Sequence, residues 1–133
     1  MLTYFCPSCW AEIQEDVAVC PSCGFALEGF DRLDYEQKLM NAAFHPIRET
    51  RSMAVRILGM LGTPRALPVM ERILNEEEND IYLLYQVLEA LARIPGQESE
   101  QLLGTTLNHP KRLVSQRARQ LLAARNASKE TDQ

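Results

Sequence analysis

Four cysteines carry the clearest chemistry in this sequence. All fall within the first 23 residues, as Cys6-Pro-Ser-Cys9 and Cys20-Pro-Ser-Cys23-Gly24, two Cys-x-x-Cys pairs with ten residues between them. A zinc ion takes four soft ligands in a tetrahedron with each sulfur about 2.3 Å away, and two tight turns can each offer a pair of thiolates from one side. Pro7 and Pro21 pre-set the backbone of the turns, and Gly24 can take the positive φ that lets the chain pass close behind a metal. The competing chemistry, a redox dithiol, needs one such pair on a βαβ scaffold, and no such pattern follows. The expectation is one structural Zn²⁺ held by Cys6, Cys9, Cys20 and Cys23.

With Cys-Pro-x-Cys twice and Phe5 and Phe25 beside the thiols, about the first 25 residues resemble a zinc ribbon. The two halves differ in one place: Gly24 follows the second knuckle, whereas Trp10 follows the first. A tryptophan enters a positive-φ turn only at a steric cost. Its ring is read either as an exposed aromatic contact for a partner protein or as a lid packed over the metal or the following segment. So small a module cannot bury a core, so metal coordination must supply most of its folding free energy.

Charge narrows the partners. The chain has 133 residues, 46% of them apolar and 24% charged, with 14 Lys and Arg against 18 Asp and Glu for a formal net charge of −4. That is a folding composition, with room for one ordinary domain plus a small module. Residues 1–30 hold Glu12, Glu15, Asp16 and Glu28 and no Lys or Arg. Four thiolates and one Zn²⁺ add a net −2, which brings this segment to about −6. Contact with phosphates needs the opposite sign, so nucleic acid is disfavoured. No apolar run is long enough to span a membrane, and Met1-Leu-Thr-Tyr-Phe-Cys6 has neither a basic nor an apolar leader region, so a cytoplasmic chain is expected.

The elements that follow have helical period. Helices are expected from about Asp34 to Phe44, from Pro46 to Leu61 with Met53, Ala54, Ile57, Leu58 and Leu61 on the buried face, and from Thr63-Pro64 to Leu74. A fourth, capped by Asn79 or Asp80, runs from Ile81 to Ile94; a fifth from Glu98 to Leu107; a sixth from Lys111 to Arg125. In the fourth, Gln86, Glu89 and Arg93 form a narrow polar stripe, so nearly all its other surface must be covered. Core packing there is favoured over an exposed contact for Tyr82 and Tyr85. Gly59, inside the second helix, points to close approach of a neighbour, such as the third helix.

Sliding the chain by 33 sets Ala54, Leu58, Leu61, Val69 and Leu74 over Val87, Leu91, Ile94, Leu102 and Leu107, and sliding by 64 carries His45-Pro46 onto His109-Pro110. The repeating unit is a helix pair. The segment Thr50-Arg-Ser-Met-Ala-Val-Arg-Ile-Leu-Gly-Met-Leu-Gly-Thr-Pro-Arg-Ala-Leu-Pro68 resembles a HEAT repeat of the short bacterial kind associated with phycobilisome lyases. The likeness spans roughly residues 34–125 and implies a mainly α fold: a short α-solenoid of about three HEAT-like helix pairs behind the ribbon. Such repeats commonly carry an Asp where this chain has Thr63 and an Arg at Arg51, but Leu84 and Ser115 stand at the equivalent places of Arg51, so no arginine ladder can form.

The resulting domain reading is a zinc ribbon over 1–30, helical repeats over 31–125 and a disordered tail over 126–133. Residues 101–129 contain no acid, and Arg112 and Arg119, seven apart, share a face that could dock an acidic protein. Arg125 has a structural role as a cation near a helix C-terminus, and Glu89 and Arg93, four apart, read as a surface ion pair. His45 and His109 precede prolines at helix starts, which makes them cap or loop residues. With the thiols committed to a metal that has no open position, no catalytic site is expected and no small-molecule substrate is evident. The expected function is a non-catalytic adaptor or scaffold binding another protein. Two alternatives are a nucleic-acid or translation-associated factor, which would want a basic ribbon, and a lyase-like chaperone or enzyme-accessory subunit, suggested by fold analogy alone.

Overall fold

The computed structural model describes residues 4–77 and 79–131. The chain is mainly helical and divides between Ala54 and Val55 into two compact units.

In the first unit, β1 (Tyr4–Phe5) pairs antiparallel with β2 (Glu12–Ile13) in the register Tyr4↔Ile13 and Phe5↔Glu12. A single antiparallel bridge joins Val19 and Ala26. Each Cys-x-x-Cys pair thus forms the tip of a small hairpin, and the extended chain on either side fixes where the thiols point. A 3-10 helix, Leu27–Arg32, leads to α1 (Tyr35–Ala42). Asp34 starts α1 with a reciprocal cap: its Oδ1 accepts the Gln37 N–H at 2.8 Å, and Gln37 Oε1 accepts the Asp34 N–H at 3.1 Å. Leu39 and Ala43, four apart, are buried. The next helix, α2 (Arg48–Leu61), crosses the division between the units.

The second unit holds the rest of α2, followed by α3 (Leu67–Glu76), α4 (Ile81–Arg93), α5 (Gln97–Thr105) and α6 (Arg112–Thr131). Asp80 is the cap of α4, its Oδ1 accepting the Leu83 N–H at 3.0 Å. Thr63 occupies the N-cap position of the short 3-10 helix Pro64–Ala66, but its side chain makes no cap hydrogen bond. α4 packs against α3, α5 and α6, with Leu83, Leu84, Val87, Leu88, Ala90 and Leu91 all buried. Each Leu or Val side chain among these contributes about 1.5–3 kcal/mol when withdrawn from water, before entropy is charged. The repeat is visible in burial: Ala54, Val87 and Ala118 are buried, as are Leu58 and Leu91.

Several expectations need correction. Met53 and Leu61 are 50% and 49% exposed, and the buried edge of α2 runs through Ala54, Val55, Leu58 and Gly59. Gly59 must face α4, not the third helix, and that contact sets the rotation of the helix. Tyr82, in the first turn of α4, is 58% exposed, while Tyr85 is half-buried with its hydroxyl on the Leu113 carbonyl. α6 continues through residues 126–131 instead of ending at Arg125, because Asn126-Ala-Ser-Lys-Glu-Thr131 offers no Gly or Pro to stop it; residues 132 and 133 of the expected tail lie outside the described residues. Among the described residues, no helix is long and apolar enough to cross a membrane.

Candidate metal centre

The two cysteine turns are built alike. In the first, Trp10 N–H donates to the Cys6 carbonyl at 2.8 Å and Cys6 N–H to Ala11 O at 2.9 Å; in the second, Gly24 N–H donates to Cys20 O at 2.9 Å and Cys20 N–H to Phe25 O at 2.9 Å. Ser8 N–H and Ser22 N–H each lie 3.4 Å from the first sulfur of their own pair, Cys6 Sγ and Cys20 Sγ. A thiolate welcomes such donors, because they spread its charge without taking a lone pair from a metal. Cys6 and Cys20 are buried, and Cys9 and Cys23 are exposed.

These turns bring all four sulfurs within 4.8 Å of one another. Cys6 Sγ lies 3.6 Å from Cys23 Sγ, and Cys9 Sγ lies 3.7 Å from Cys20 Sγ. Both distances are far beyond a disulfide, and all four cysteines are free. A tetrahedron with arms of about 2.3 Å has edges of about 3.8 Å, so the two short separations already have the size of zinc-site edges. Without a cation the sulfurs must share protons. Cys20 is drawn down to about 7, chiefly by the backbone N–H of Cys23 and despite burial. Cys23 is pushed up to about 11: the Phe25 N–H favours its thiolate, but partial desolvation of its sulfur and the three neighbouring sulfurs outweigh it. A divalent ion between them removes the conflict by deprotonating every ligand. The four cysteines therefore could hold a metal ion.

Trp10 occupies the left-handed region at φ +63, a conformation its side chain adopts only at a steric cost, as Gly24 does at φ +80 without one. The matched turns demand it, since each knuckle folds back onto its first cysteine. The side chain offsets the cost: the indole N–H donates to the Asn41 carbonyl, and the ring lies 4.4 Å from that of His45. Trp10 is half-buried against α1 and the turn after it, which is the lid reading of this residue and leaves its N–H occupied. Sequence spacing alone gives no sign of Asn41 or His45 as its neighbours. The other candidate contacts are elsewhere. Arg112 and Arg119 are both exposed on α6. Arg117, on the same helix, is half-buried and pairs with Glu89 on α4 at 2.7 Å, so Glu89 does not serve Arg93 in the way its spacing suggested. His45 and His109 are loop residues, each accepting a backbone N–H two residues on at 3.0 Å.

Residues 22–84 match the model of the HEAT repeat family, a stretch that opens within the second cysteine pair and closes in α4. The fold is a mainly α, short α-solenoid with little sheet, and this chain is similar to HEAT-repeat proteins over that stretch. Comparison with curated proteins and with solved structures gives no match.

Proposed function

We propose that this chain is a non-catalytic adaptor: a zinc ribbon, residues 1–30, joined to a HEAT-like helical domain, residues 31–125, that binds another protein in the cytoplasm. The observation that carries the reading is the HEAT-repeat match together with its stacked helices. Repeats of this kind generally mediate protein–protein contact, with affinity spread along helix faces and no single reaction pocket. Zinc is favoured for the metal because four thiolates within 4.8 Å of one another suit a soft, redox-inert ion. Four protein sulfurs leave such an ion no open position for water or substrate, so its role is to hold the module together. The finer likeness to phycobilisome lyases is fold analogy alone and assigns no reaction.

The face proposed for the partner is the exposed arginine row of α6, Arg112 and Arg119, and an acidic protein surface fits it. Metal analysis of native protein is expected to give one zinc per chain with no free thiol, and reactive thiols without metal would overturn the ribbon. Partner recovery by affinity isolation is expected to fall at least about tenfold in Arg112→Glu/Arg119→Glu, with the helical circular dichroism unchanged. Unchanged recovery would discard this face. Retention on single-stranded nucleic acid at about physiological salt would overturn the class of partner.

A further inference from the structure

The two knuckles meet in a crossed pattern. Cys6 Sγ lies 3.6 Å from Cys23 Sγ, and Cys9 Sγ lies 3.7 Å from Cys20 Sγ. Each close contact therefore joins the first cysteine of one Cys-x-x-Cys pair to the second of the other. Each also joins a buried cysteine to an exposed one, since Cys6 and Cys20 are buried while Cys9 and Cys23 are exposed. A small oxidant arriving from solvent thus meets one sulfur of each contact with the other close beside it.

The closeness that suits a metal also prepares the sulfurs for each other. Oxidation of a thiolate follows its exposure, and a second thiol in contact with it resolves the first product as a disulfide. Both separations are those of non-bonded neighbours, so modest side-chain rotation can bring each pair to bonding distance. The contacts select partners across the knuckles, which is a different chemistry from the redox dithiol of one Cys-x-x-Cys pair.

We infer that the four-cysteine cluster is a site of oxidation by hydrogen peroxide that links the knuckles to each other, Cys6 with Cys23 and Cys9 with Cys20. In each contact the exposed thiolate, Cys23 or Cys9, attacks the peroxide; its sulfur gains one oxygen as the O–O bond breaks, and hydroxide leaves. The buried thiolate, Cys6 or Cys20, then attacks that sulfenic sulfur, forms the S–S bond and expels the oxygen as a second hydroxide. Each disulfide gives up two electrons from sulfur and consumes one peroxide. With both formed, no thiolate is left to hold an ion, so a bound metal is released. The two nested cross-links still tie one hairpin tip to the other, which a bond inside each pair would not do. The inference goes beyond the adaptor reading and needs no partner protein.

The test is a peroxide titration of the full chain loaded with zinc, followed by alkylation of any remaining thiol. A chelating dye reads the released metal. Proteolysis after Glu12, Glu15 and Glu28 places the two pairs in separate peptides, and stepwise reduction with alkylation assigns each bond by mass spectrometry. About two peroxide equivalents per chain should release the metal and leave the two peptides joined through Cys6 with Cys23 and Cys9 with Cys20. Dithiothreitol and added zinc should restore the metal-loaded chain. In guanidinium chloride with a chelator, where the turns are lost, the short loops within each pair should form instead. Separate peptides from the folded chain, the alternative pairing of Cys6 with Cys20, or one and the same pairing with and without denaturant would each overturn the proposal. Partner recovery is not among these readouts, so failure here leaves the adaptor reading standing.

Discussion

Gly59 and Ala90 meet where α2 crosses α4, so closely that a Cβ built on the glycine would lie 2.7 Å from both the Cα and the Cβ of the alanine. Helix propensity alone would favour Gly59→Ala by up to about 1 kcal/mol. The obstruction includes backbone, which cannot rotate away, so overpacking at about 1–3 kcal/mol or more should dominate. Gly59→Ala is therefore expected to lower the urea midpoint. Adding Ala90→Gly takes away the opposing methyl group but leaves the backbone carbon that bears it, so the double variant should recover only part of the loss. An increase in stability in the single variant would contradict the crossing.

Glu89 and Arg117 tie α4 to α6 through one charged contact at 2.7 Å, with side chains 39% and 36% exposed respectively. At that exposure a double-mutant cycle should return about 0.3–1 kcal/mol, reduced in 1 M salt. The same cycle between Glu89 and Arg93 should return a value near zero. Coupling in the second cycle and none in the first would show that the spacing rule, not the tertiary contact, governs this glutamate.

Much of this architecture can be read from residue order, and the parts that cannot share a cause. Cys6, Cys9, Cys20 and Cys23 declare their chemistry because both turns are local and their side chains have few other uses. The helices declare themselves by period, and the 64-residue echo of His-Pro is visible by sliding the chain. The rotation of α2 is not visible, because Met53 and Leu61 are as apolar as Ala54 and Val55, and tertiary contacts such as that of Gly59 with Ala90 decide which edge is covered. Trp10 is the sharper case: local sterics count the cost of its positive φ, whereas its compensation comes from Asn41 on α1 and His45 in the turn that follows.

The matched knuckles make the glycine and the tryptophan separable by substitution. A Cβ on Gly24 meets nothing within 4 Å, so Gly24→Ala costs only backbone strain at φ +80. That is about 1–2 kcal/mol, and because the module folds on its metal, it should appear as roughly 5–30-fold weaker zinc binding in chelator competition. Trp10→Phe keeps an aromatic ring beside His45 but deletes the donor to Asn41, at a cost of about 0.5–1.5 kcal/mol. Unchanged zinc affinity in Gly24→Ala would mean that the second knuckle does not need the left-handed turn to hold its metal.

Arg125 closes the far end of α4, although sequence position suggested that it served its own helix. Because α6 continues to Thr131, the guanidinium does not sit at that helix's end. Its Nη1 reaches the Leu91 carbonyl at 3.0 Å and its Nη2 the Gly96 carbonyl at 2.8 Å, so one planar group spans the last turn of α4 and the corner into α5. Ser99 holds the same corner from inside, its hydroxyl 2.6 Å from Ile94 O and 3.0 Å from Gly96 O. A cation there also meets the negative end of the α4 dipole, worth about 0.3–1 kcal/mol, while a charge-assisted hydrogen bond adds about 1.5–3 kcal/mol. Arg125→Ala should therefore cost about 2–3 kcal/mol in urea unfolding. Arg125→Lys should fall between, since an ammonium keeps the charge but cannot fork to two carbonyls. Arg119→Ala, exposed on the same helix, should stay within about 0.5 kcal/mol of the parent. Equal effects at 119 and 125 would show that the guanidinium does not cap α4 in solution.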